Sequence, residues 1–115
     1  MMKQNREGLY EGMYIISATL SEEARKKALE KITNNIIEKG GKIEKIHEMG
    51  RRKLAYEINR KKEGYYFLIY FKVLASAIDE LWKEYYLHED LMRFITVQAD
   101  EVKENLDFKS LEINR

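Results

Sequence analysis

Few side chains in this sequence could move a proton or hold a metal near neutral pH. His47 and His88 are the only histidines, and there is no cysteine. Neither histidine belongs to an HExxH, HxH or His/Cys pattern, so no ligand set stands at metal-binding spacing. His47 sits beside Glu48 in a strand-like segment and His88 follows a helical one, and each reads as a surface or packing residue. The acidic pair Glu89-Asp90 falls in a short connection, where acids serve as turn formers. No GxGxxG, Walker or GxSxG motif occurs, and without cysteine there are no thiolate nucleophiles and no disulfides. The expectation is a protein that is not an enzyme, with no catalytic residues, no metal, no cofactor and no small-molecule substrate.

What the sequence offers instead is grouped cations and aromatic rings. Arg51-Arg52-Lys53 and Arg60-Lys61-Lys62 flank the far half of one predicted strand and its turn, and Arg93 lies on the last strand. Cations fixed on strands hold a set spacing, which suits contact with phosphates. Such runs also serve as charged edges that keep sheets from pairing with one another. For Arg51-Arg52-Lys53 both uses stand. For Arg60-Lys61-Lys62, in a turn, the solvated edge is the simpler one. Arg25-Lys26-Lys27, interspersed with Glu22, Glu23 and Glu30, reads as the wet face of a helix.

The aromatic feature is Gly64-Tyr65-Tyr66-Phe67-Leu68-Ile69-Tyr70. It resembles the RNP1 signature of RNA-recognition motifs, in which rings on adjacent central strands stack splayed bases. Met13-Tyr14-Ile15 would then stand in for RNP2. On that alternative the chain is a free-standing module that stacks single-stranded RNA on Tyr14, Tyr65 and Phe67. However, Glu63 replaces the signature's basic residue and Tyr66 its small one. A central strand of any such sheet is also aromatic, so packing or protein contact is the simpler use of Tyr65 and Phe67.

The elements that must position these residues follow from periodicity. Leu9 to Ser17 is aromatic and β-branched and reads as a strand. Thr19 or Ser21 can cap a helix, and Thr19 with Glu22 has capping-box spacing. Ala24, Ala28, Leu29, Ile32 and Ile36 then mark one helix face, which Gly40-Gly41 terminates. Lys42 to Arg60 reads as a long strand, with Gly50 marking a bulge or bend. After a polar turn, Tyr65 to Leu74 is apolar on both faces and so central in its sheet. Ser76 with Asp79 suggests a second capping box. Ile78, Leu81, Trp82 and Tyr85 form a second helix face, and Leu91 to Ala99 is a last strand. Two βαβ-type crossovers give an α+β, ferredoxin-like split βαβ fold (βαββαβ). Its four-stranded antiparallel sheet has order 4-1-3-2, with both helices on one face. The expected organisation is a flexible N-terminal tail over residues 1–8, one domain over 9–99 and a charged tail over 100–115.

Composition narrows the function classes. The 115 residues suit one domain. Lys and Arg total 21 against 20 Asp and Glu, so the net charge of +1 does not by itself announce a nucleic-acid binder. Any basic footprint must come from placement. Residues 1–8 lack the apolar stretch of a signal peptide, and the longest apolar run, Tyr65 to Phe71, is far short of a membrane span. A soluble cytoplasmic protein with no membrane partner is expected.

The segments Gly40 to Ile46, Met49-Gly50-Arg51-Arg52-Lys53-Leu54-Ala55-Tyr56-Glu57-Ile58 and Glu63-Gly64-Tyr65-Tyr66 together resemble the bacterial ribosomal small-subunit protein numbered six family. The G-R-R-x-L-A-Y-x-I stretch is its most recognisable signature. Tyr10-Glu11 through Ile15-Ile16 and Leu91-Met92-Arg93-Phe94 also match in type and place, so the resemblance covers about residues 9 to 99. It implies a ferredoxin-like ribosomal protein that binds small-subunit ribosomal RNA in the platform as a heterodimer with the ribosomal protein numbered eighteen. Carried onto this chain, it implies ribosomal-RNA contacts by Arg51, Arg52, Lys53 and Arg93. It also implies strand packing or partner contact for Tyr56.

Overall fold

The computed structural model describes residues 6–58 and 60–105. The strands are β1 (Glu7–Ser17), β2 (Lys42–Ile58), β3 (Lys61–Leu74) and β4 (Leu91–Gln98), and the helices are α1 (Glu22–Glu38) and α2 (Ile78–Tyr86). All pairings are antiparallel and the spatial order is β2-β3-β1-β4, the expected topology read from the opposite edge. β1 begins at Glu7, so the last two residues of the expected N-terminal tail already pair, Glu7 opposite Leu74. The expected polar turn before β3 is shorter than its composition suggests, because Lys61, Lys62 and Glu63 belong to the strand.

Local chemistry explains the ends. Ser21, not Thr19, caps α1: its hydroxyl accepts from the Ala24 amide at 3.1 Å, while Thr19 bonds the Ser17 hydroxyl. Glu22 and Glu23 in the first turn complement the helix dipole. The helix stops where Gly40 takes φ +84° and the Gly41 amide returns to the Ile36 carbonyl. The second capping box does not form. A 3-10 turn, Ala75–Ala77, leads into α2, which has no side-chain cap. Gly50 makes the expected bulge, with φ +84° and a register shift between Glu48 and Gly50.

The core lies between one sheet face and the helices. Tyr14 and Ile16 of β1 and Phe67, Ile69, Phe71 and Val73 of β3 meet Ala28, Ile32 and Ile36 of α1 and Leu81 and Tyr85 of α2. In its centre the Tyr14 and Tyr85 hydroxyls bond each other at 2.8 Å, with the rings edge to face. His88 is buried as a structural group. Its Nε2–H donates to the Ala28 carbonyl and its Nδ1 accepts from the Asp90 amide, a pairing that staples the α2–β4 connection to α1.

Burial pushes the Tyr85 hydroxyl up to about 12 despite the Tyr14 bond, and burial followed by the Tyr85 neighbour holds Tyr14 well above its ordinary value. Above about pH 10 the unfolded chain sheds these protons while the folded chain keeps them. Their contribution is therefore complete below pH 10 and is lost as pH climbs toward 12, at roughly 1 kcal/mol per pH unit for one hydroxyl. Denaturant midpoints measured from about pH 9 to about pH 11 will show this decline, shallower in Tyr85→Phe. Equal slopes in the two proteins would contradict it.

Candidate nucleic-acid interface

β2 and β3 outrun the rest of the sheet. The β1–β3 ladder ends at Ser17 opposite Gly64, while β2 and β3 go on pairing through Lys53–Glu63 to Ile58–Lys61. The result is a two-stranded arm, closed by a turn in which Arg60 has φ 67°. The arm brings together Arg51-Arg52-Lys53 and Arg60-Lys61-Lys62, two runs that sequence reasoning kept apart by treating the second as a solvated turn. Residues 51–63 hold six cations and two acids, a balance of +4, so the rest of the chain carries −3. The near-zero net charge thus hides a segregated one.

The cations differ in freedom. Arg51 reaches back to the body: its Nη2 donates to the Ala18 carbonyl at 3.0 Å and its Nε pairs with Glu63 at 3.2 Å. It is held rigid, and part of its hydrogen-bonding capacity is used inside the fold. Arg52 lies on the other face, where its charge acts on the Tyr66 hydroxyl. Lys53, Arg60 and Lys62 are exposed and make no ion pair among the described residues. Tyr56 stands on a bulge where the register slips between Lys53 and Ile58, and it is 74% exposed. It therefore does not pack within the chain. Arg93 is exposed on β4, the opposite edge strand, so the sheet does not gather it with the arm.

The stacking site of the alternative reading, on Tyr14, Tyr65 and Phe67, does not form. Odd-numbered residues of β3 face the helices. Phe67 is 5% exposed and Tyr14 is 0% exposed in the core, and the Tyr65 ring is covered by the Arg25 guanidinium 3.8 Å from its centroid. A base cannot reach these three rings. The even-numbered Tyr66, Leu68 and Tyr70 line the open face, with Met13 and Met49. Lys72 carried the signal: an exposed lysine at an even position assigns that parity to solvent.

Part of the open face is already covered. After β4 the Ala99 amide bonds the Leu9 carbonyl and residues 99–105 cross the sheet. Val102 packs against the Met49, Leu68 and Tyr70 cluster, the Lys103 carbonyl bonds His47 at 2.7 Å, and Glu104 pairs with Lys45. Beneath this strap, burial and the hydrogen bond that its hydroxyl donates to the Glu11 carboxylate push Tyr70 up to about 12. The expected charged tail therefore starts as a docked segment, and its remainder, residues 106–115, lies outside the described residues. Among the described residues no three carboxylates, histidines or cysteines gather as a metal site, and no helix is long and apolar enough to cross a membrane.

Comparison with known proteins converges on one family. A profile described as Ribosomal protein S6 matches residues 9–98. The small ribosomal subunit protein bS6 of Protochlamydia amoebophila is 58% identical over 111 residues, covering 96% of this chain and 97% of the relative. That of Chlamydia caviae is 61% identical over 110 residues, covering 96% and 98%. The crystal structure of 30S ribosomal protein S6 from Thermotoga maritima superposes with a TM-score of 0.76 at 34% identity, covering 96% of this chain and all of that one. The chain belongs to the ribosomal protein S6 family, a structural and non-enzymatic component of the small subunit of the cytoplasmic ribosome.

Proposed function

We propose that this protein binds small-subunit ribosomal RNA together with ribosomal protein S18 and helps to assemble the platform of the subunit. The observation that carries this reading is the cationic arm. Five basic residues on two paired strands, with Arg60 in the turn between them, are gathered on one arm, a placement that phosphate contact rewards, while the rest of the chain carries a net negative charge. Arg51, Arg52 and Lys53 supply RNA contacts from β2, and Arg93 supplies one from the far edge. A chain with so local a basic surface makes few phosphate contacts alone, so a basic partner completes the site.

Tyr56 supports the partner in this reading. A large ring left in water gains nothing within the monomer, and such rings are frequent anchors of protein interfaces. Tyr56→Ala is expected to leave stability within about 0.5 kcal/mol and to weaken S18 binding at least tenfold. Calorimetry of the two purified proteins measures both, and unchanged affinity would remove Tyr56 from the interface. The reading as a whole is tested by purifying small subunits from the source cell at low and high salt. The chain is expected to remain with RNA and S18 at low salt. Subunits that never contain it would overturn the assignment.

A further inference from the structure

The strap over residues 99–105 lies across the open face without regular secondary structure. The Ala99 amide bonds the Leu9 carbonyl at 2.9 Å, and Val102 packs on the Met49, Leu68 and Tyr70 cluster. His47 Nε2 donates to the Lys103 carbonyl at 2.7 Å, and Glu104 pairs with Lys45 at 3.3 Å. Asp100, Glu101, Lys103, Glu104 and Asn105 are exposed. A segment with so little buried apolar surface and no strand ladder opens at far lower cost than the sheet beneath it.

The surface beneath the strap is apolar. Strand register sets Ile95, Met13 and Leu68 in one row across β4, β1 and β3, and Met49 and Tyr70 join Leu68 in a buried cluster. Ile95 is 62% exposed and Val97 is exposed beside it, so the apolar surface already runs to the edge of β4. Lifting the strap joins these side chains into one patch of a kind that soluble monomers rarely leave uncovered.

The patch also matches itself. The next row reads Val97, Glu11, Tyr70 and Lys45 from β4 to β2. A two-fold axis along the strands lays this row against its own reverse, with β2 of one copy over β4 of the other. Each Lys45, released from Glu104, then comes within one strand of the other copy's Glu11. That carboxylate, in the middle of the face, disfavours RNA as the occupant.

We propose that the strap is an autoinhibitory cover. In place it keeps the chain monomeric, and when it lifts the open face pairs with the same face of a second copy. This goes beyond the RNA-binding reading and does not depend on it.

The test uses the full chain, with sedimentation velocity for association and amide exchange for the strap. Val102→Asp puts a charge on the apolar cluster, and Glu104→Lys turns the ion pair with Lys45 into a repulsion without touching any apolar contact. In each variant the amides of residues 99–105 are expected to exchange about tenfold faster, and a dimer is expected at concentrations where the parent is a monomer. Adding Ile95→Lys, at an exposed position on the edge of the patch, is expected to restore the monomer while the strap stays open. Unchanged exchange in both variants would show that the strap does not lift, and the proposal fails. It fails too if the strap opens and the chain stays monomeric, including the case in which the opened face binds S18 or RNA instead. A dimer that survives Ile95→Lys would place the contact on another surface and overturn it.

Discussion

Exchanging Lys53, Arg60 and Lys62 together for glutamine is expected to lower the affinity of the chain–S18 pair for small-subunit RNA by roughly a hundredfold at moderate salt, with the fold intact. These three cations are exposed on the arm and form no ion pair among the described residues, so their loss costs the monomer nothing in paired charge. Each phosphate neutralised adds about 0.7 to 0.9 to the salt dependence, so the slope is expected to flatten by about 2 to 3. Arg51 is the wrong residue for a clean test. It ties the arm to the Ala18 carbonyl and to Glu63, and its truncation mixes lost stability with lost binding. Filter binding or fluorescence anisotropy from low to moderate salt, alongside a thermal melt, separates the two. An unchanged slope would return the arm to the role of a charged edge that prevents sheet pairing.

Gly12→Ala is expected to destabilise the fold by about 3 kcal/mol. Gly12 is buried in β1 between Ile69 and Thr96. A methyl group there would stand 2.5 Å from the Tyr14 hydroxyl oxygen and 2.8 Å from ring carbons of the same residue. The Tyr14 ring lies over the glycine because no side chain occupies that space. It cannot withdraw, since Tyr85 meets it edge to face and holds its hydroxyl. Overpacking of this kind costs about 1 to 3 kcal/mol, and parting the buried hydroxyl pair leaves polar groups unsatisfied at a similar cost. The denaturant midpoint is expected to fall without a change in slope. Combining Gly12→Ala with Tyr14→Leu is expected to cost less than the two changes summed, because the smaller side chain frees the space. Strict additivity would show that the methyl group and the ring do not compete.

Much of this architecture is legible in the sequence because its local signals agree. The aromatic and β-branched run of β1, the apolar face of α1, the Gly40-Gly41 stop and the Gly50 bulge each point to the element found. The cap of α2 is different. Ser76 has suitable chemistry, but the 3-10 turn Ala75–Ala77 carries the chain into the helix without a side-chain bond. The faces of β3 were harder to read, since a strand apolar on both sides has no period of two. Only Lys72 breaks the tie, and it turns Tyr65 and Phe67 toward the helices and Tyr66 toward the open face. The arm escaped a strand-by-strand reading because Arg60-Lys61-Lys62 joins Arg51-Arg52-Lys53 only when the β2–β3 hairpin folds the two runs onto one arm. The strap has no local signature at all. Val102 and the Lys103 carbonyl dock because Met49, Tyr70 and His47, distant in sequence, converge beneath them.

The central claim, that the chain meets small-subunit RNA as half of a pair, is tested most directly by titrating that RNA with this chain alone, with S18 alone and with both, across a range of salt. The account predicts weak binding and a shallow slope for the chain, and for the pair a tighter and steeper curve than either protein gives by itself. Tight, steeply salt-dependent binding by the isolated chain, or a pair that binds no better than S18 alone, would contradict it.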